Sequence, residues 1–141
     1  METFSEPQDL VSLLCGVIDQ YQNMDTAGYR ERFLQLLDKA VALAGNRTDR
    51  VFVLSIPDYS ATPFVQADTK ARVHEAVDQF NAINKDLTLR RNIAYIDITP
   101  LTRKAATDQT LLAADGLHYS GKEHQLWAER LAPVMLKHLK P

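Results

Sequence analysis

The amino-acid sequence predicts an α/β domain built on a parallel sheet. Three short runs that are apolar on both alternating faces, and the amphipathic helical patterns between them, carry this prediction. Strands covered by helices on both sides read as continuous apolar runs, whereas half-exposed strands alternate. The order of these patterns, β-α-β-α-β-loop-α, suits a right-handed parallel arrangement.

The first run, DLVSLLCGV (residues 9–17), is almost wholly apolar and includes Gly16. RVFVLSIP (50–57) and NIAYIDITP (92–100) are β-branched and stopped by proline. Tyr29, Phe33, Leu36, Leu37, Ala40 and Ala44 form one helical stripe, with Asp25 or Thr26 as N-cap and Gly45 just past the end. Val73, Ala76, Val77, Phe80, Ile83 and Leu87 form a second, with Asp68 as its cap. The third begins at Ser120, where Glu123 completes a capping box, and carries Leu126, Trp127, Leu131, Val134 and Met135. No internal repeat, low-complexity tract or linker interrupts the chain, so residues 1–141 read as one domain. Three strands are few for a sheet that usually has about five or six.

Composition narrows the functional classes. With 16 basic against 18 acidic residues, the net charge of -2 advertises no nucleic-acid or anionic-membrane surface. Cys15, the one cysteine, excludes an internal disulfide and a thiolate zinc cluster. No apolar run approaches the ~18 residues of a membrane span. METFSEPQDL lacks the pattern of a signal peptide, so a cytoplasmic location is expected.

Ligands of parallel sheets bind beyond the carboxyl ends of the strands. Those ends are residues 16–24, 55–64 and 99–117, so Asp115 and His118 sit on the functional rim, just before the last helix. An aspartate three residues before a histidine, with Gly116 between them, can hold one ring nitrogen and leave the other as a general base. The same pair could ligate a metal with Asp58 or Asp19, yet no third ligand stands at a matching spacing, and His124 lies a turn and a half along the helix. No metal or cofactor is expected. Asp19, Gln20 and Tyr21 with Asp58 and Tyr59 could line a small polar pocket. His74 reads as solvated, His138 as a helix-dipole partner and Trp127 as packing.

DLVSLLCGVIDQYQ, RVFVLSIPDYSATPF, NAIN, AYIDITP and AADGLHYSGKEHQLWAERL, in that order, resemble the later part of an SGNH hydrolase, one of the GDSL-like lipases and acylhydrolases of bacteria. The resemblance runs from about residue 9 to 135. It implies a flavodoxin-like three-layer α/β/α fold with a five-stranded parallel sheet, incomplete here with about three strands. It also implies cleavage of a small-molecule ester by a serine in a G-D-S motif, without a cofactor. The family's closing D-x-x-H block matches Asp115 and His118, which implies that Asp115 orients His118 and His118 activates the serine.

Two parts of that machinery are missing. None of Ser5, Ser12, Ser55, Ser60 and Ser120 stands in a G-D-S or G-x-S-x-G context. Ser60, on the rim, is the local candidate nucleophile, and Cys15 the other. The family's third block, G-x-N-D, aligns with Gly16, Val17, Ile18 and Asp19, so an isoleucine stands where an asparagine donates to the oxyanion. Losing one such donor costs ~10²–10³ in rate. The resemblance thus implies the C-terminal portion of a serine ester hydrolase, truncated and inactive as this chain. Gly16, Asp19 and Asp58 are its candidate substrate-contacting residues. The alternative is a non-catalytic binding or interaction protein that reuses the fold. The absent G-D-S strand would lie beside residues 10–15, so their open edge invites a homodimer.

Overall fold

The computed structural model describes residues 6–139. Its sheet has three parallel strands in the order β1 (Val11–Leu13), β2 (Val51–Leu54), β3 (Ala94–Ile96). Val11 is opposite Val51 and Leu13 opposite Val53, while Phe52 is opposite Ala94 and Leu54 opposite Ile96. Helices α1 (Val17–Tyr21) and α2 (Thr26–Leu43) connect β1 to β2, and α3 (Lys70–Leu89) connects β2 to β3. A single turn, α4 (Thr99–Thr102), and two short 3₁₀ turns lead to α5 (Gly121–Leu139).

All four residues of β2 are buried, and their alternation feeds two cores. Val51 and Val53 face Tyr29, Phe33 and Leu37 of α2 and Val77, Phe80 and Leu87 of α3. Phe52 and Leu54 face the other way, joined by Ile96 and Ile98 and covered by Trp127, Leu131, Val134 and Met135 of α5. Two helices on one face and one on the other make three layers, as the both-sided apolar runs require. The single helix leaves one strip bare: Ser12, in register with Phe52, is exposed. β1 pairs only with β2 among the described residues, so its outer edge is open.

The expected caps divide. Asp25 caps α2, its carboxylate accepting from the Gly28 N–H at 2.7 Å. Asp68 does not cap α3: Thr69 holds that place without a side-chain capping bond, because its hydroxyl donates backwards to the Gln66 carbonyl. Ser120 Oγ accepts from the Glu123 N–H, but Glu123 does not complete the box. Its side chain is buried and accepts from the Trp127 indole at 2.7 Å instead. No helix among the described residues is long and apolar enough to cross a membrane.

Candidate active site

Gly116, at φ +69°, lets residues 113–118 fold back, with its N–H on the Ala113 carbonyl. Asp115 Oδ1 accepts from the N–H groups of Leu117 (3.0 Å) and His118 (2.9 Å). Its Oδ2 lies 2.6 Å from His118 Nδ1. A carboxylate oxygen only accepts, so Nδ1 carries a proton, and in the neutral ring the lone pair is the one on Nε2. The Leu117 amide, then the His118 ring and amide, hold the Asp115 carboxyl down at about 2. The sign follows from a lowered folded value: the stabilisation is present above the unfolded carboxyl value of about 3.9 and is lost as pH falls through about 2.

The loop is pinned on both sides. Ala113 N–H donates to the His118 carbonyl, and Leu112 and Tyr119 form an antiparallel bridge. The Tyr119 hydroxyl donates to the Asp58 carbonyl at 2.8 Å, and burial pushes that phenol well above its usual range. His118 itself stays open, its side chain 77% exposed.

His118 lines a groove of about 410 Å³ at the carboxyl ends of the strands. Val17, Ile18 and Tyr21 enter from the end of β1, Pro57 and Tyr59 from the end of β2, and Leu117, Tyr119, His124 and Trp127 from the last loop and α5. No aspartate, glutamate, lysine or arginine lines it. The His124 and Trp127 rings are 4.5 Å apart, and Tyr119 packs on Trp127 at 5.6 Å. Sequence reasoning reads Trp127 as packing and sets His124 aside as too far along the helix to share a metal with Asp115 and His118. The three-residue spacing from His124 to Trp127 on one helix face was the available signal.

Of the other candidate residues, only Tyr21 and Tyr59 line this groove. Asp58 is fully buried: one oxygen accepts from the Ser60 N–H (3.0 Å), and the other meets Arg103 Nε (2.8 Å) and His74 Nδ1 (2.9 Å). That corrects two expectations, since Asp58 is not open to substrate and His74 is not merely solvated. Asp19 is held by Arg32 at 2.7 Å. Gly16 is buried behind Tyr29 and serves the backbone path rather than a surface. Gln20 and Tyr59 are buried, and only Tyr21 of the expected polar group is exposed.

None of the described serines lines the groove either. Ser55 is buried, donating to Asp97 and accepting the N–H groups of Ile98 and Thr99. Ser60 is buried beside a different cavity, with His74 and Arg103. Ser12 is on β1, Ser120 donates to the Thr110 carbonyl, and Ser5 lies outside the described residues. Burial, and then Asp19, push the Cys15 thiol up to about 11. At pH 8 its thiolate fraction is then on the order of one in a thousand. Iodoacetamide is therefore expected to alkylate the folded chain at least about tenfold more slowly than the urea-unfolded chain, as read by mass spectrometry.

The fold is thus a three-layer parallel α/β arrangement with the Asp115–His118 pair at the carboxyl ends of its strands. The chain belongs to the GDSL-like lipase/acylhydrolase family, whose model matches residues 3–126. Its fold is similar to that of a lipase/acylhydrolase from Enterococcus faecalis, with a TM-score of 0.66 at 18% identity over 94% of this chain and 64% of that one. It is also similar to a member of the lipolytic G-D-S-L family from Veillonella parvula, with a TM-score of 0.64 at 20% identity over 96% and 67%. An acetyl xylan esterase from Geobacillus stearothermophilus matches with a TM-score of 0.61 at 18% identity over 90% and 59%. The chain thus spans 64% of the first of these structures and 59% of the last. No curated protein matches.

Proposed function

We propose that Asp115 and His118 are the orienting acid and general base of a carboxylic-ester hydrolase whose serine nucleophile is supplied from outside these 141 residues. One observation carries the reading: the Nδ1–Asp115 contact of 2.6 Å, which turns Nε2 away from the carboxylate on a histidine that lines an apolar groove. In the proposed reaction Nε2 takes the serine proton as the hydroxyl oxygen bonds to the ester carbonyl carbon. Asp115 stabilises the imidazolium, which returns the proton to the departing alcohol. Water then repeats the sequence on the acyl-enzyme and releases the acid. The groove carries no side chain of fixed charge, which suits an uncharged acyl group. The open edge of β1 is where a strand carrying the serine would pair.

The test joins this chain to the serine-bearing N-terminal part of a solved relative, with folding checked by circular dichroism and turnover read on a nitrophenyl acetate. The chimera is expected to turn over, and His118→Ala to cost at least about a thousandfold. The 141-residue chain alone should match its own His118→Ala variant. Turnover by that chain alone that depends on His118 would move the nucleophile to Ser60 or Cys15 and sink the proposal. Ile18 favours a binding role instead: it is 63% exposed at the groove and offers no donor to an oxyanion. A folded chimera that remains inactive even with Ile18→Asn would favour that second reading.

A further inference from the structure

Beside the apolar groove lies a second cavity, of about 260 Å³, with contrasting chemistry. Tyr21 and Tyr59 line both, edge to face at 5.9 Å, so the two spaces share one aromatic wall. Gln20, Asn23, Gln66 and Arg72 supply polar groups to the second, and no carboxylate lines it.

Three independent features leave this cavity unsatisfied. Arg72 makes no ion pair or hydrogen bond among the described residues, whereas every other arginine there has a carboxylate or carbonyl partner. Arg72 and Thr69 stand at the start of α3, twenty residues long, whose first turn has no side-chain cap. Its positive end therefore adds to the guanidinium. Gln20 is 6% exposed, and its Oε1 is buried without a donor. An acceptor in that position costs free energy until a donor reaches it, and Gln20 itself lines the cavity.

We propose that this cavity binds a polyhydroxylated organic anion, the alcohol part of the ester in the reading given above. The anion lies between Arg72 and the uncapped start of α3. Ligand hydroxyls donate to the Gln20 oxygen and meet the Asn23 and Gln66 amides, and the ring lies on the tyrosine wall. The acyl group then projects into the apolar groove, with the ester near His118.

Calorimetric titration of the 141-residue chain tests the site without catalysis. The probes are glucuronate, glucose 6-phosphate, glucose, acetate and inorganic phosphate. At least one of the two anionic sugars should saturate the chain below about 10 mM. Glucose, acetate and inorganic phosphate should each bind at least tenfold more weakly. Arg72→Gln, at an exposed position, should weaken the anionic sugar at least tenfold with an unchanged melting temperature. The tighter of glucuronate and glucose 6-phosphate identifies a carboxylate or a phosphate. No saturation by either, equal binding to Arg72→Gln, or equal binding of glucose or the simple anions overturns the site. An inactive chimera with intact sugar binding would overturn the hydrolase reading and this alcohol's role, leaving the site. Active turnover without sugar binding would do the reverse.

Discussion

Gly16→Ala is expected to lower the unfolding free energy by about 3 kcal/mol. Gly16 has φ +126° and ψ -13°, a combination that side-chain-bearing residues rarely adopt. Holding alanine there costs on the order of 1–3 kcal/mol. The added Cβ would also stand 2.6 Å from Tyr29 Oη and 2.8 Å from Cε2. Tyr29 has nowhere to retreat: it is 1% exposed, stacks on Phe80 at 4.4 Å, and donates to the Cys15 carbonyl while accepting from Asn84. Overpacking at such a site adds a further ~1–3 kcal/mol. Urea unfolding gives the value directly, and a loss below about 1 kcal/mol would mean that the end of β1 relaxes freely.

Asp58→Ala comes next, with an expected loss of about 3 kcal/mol. Removing the partner from a fully buried ion pair costs ~3–5 kcal/mol. Here the guanidinium of Arg103 and the ring of His74 keep 30% and 47% of their side-chain surface, so water recovers part of that. The Ser60 N–H is then left buried without its acceptor, which adds ~1–3 kcal/mol. Asp58→Asn keeps an oxygen for that N–H and should lose about half as much. The consequence reaches further, because the Asp58 carbonyl holds the Tyr119 hydroxyl beside His118. Thermal melts give the stability, and the amide resonance of His118 should shift in the alanine variant. An unmoved resonance would show that the loop is held without Asp58.

The parts legible in the sequence were those written locally. Apolar runs located the three strands, helical stripes located α2, α3 and α5, and a three-residue spacing joined Asp115 to His118. The strands are shorter than their runs because residues such as Leu10 and Cys15 pack against the cores without pairing. At five residues, α1 is too short to show a helical period. Asp58 was misread because its partners, His74 and Arg103, lie on elements far along the chain. Asp19 was misread similarly, since Arg32 reaches it from α2. An unpaired carboxylate on a loop and a buried one in an ion cluster look alike until the elements around them are packed.

The chain's one tryptophan is Trp127. Its indole N–H is fixed on buried Glu123, its ring packs on both His124 and Tyr119, and it lines the apolar groove. Intrinsic fluorescence therefore reads one place in the molecule. Emission excited near 295 nm, where tyrosine contributes little, comes from the groove wall and from nowhere else. Solvent displacement, a bound acyl group or a segment docking beside His118 all act on the same fluorophore, so the protein carries its own optical reporter without a label.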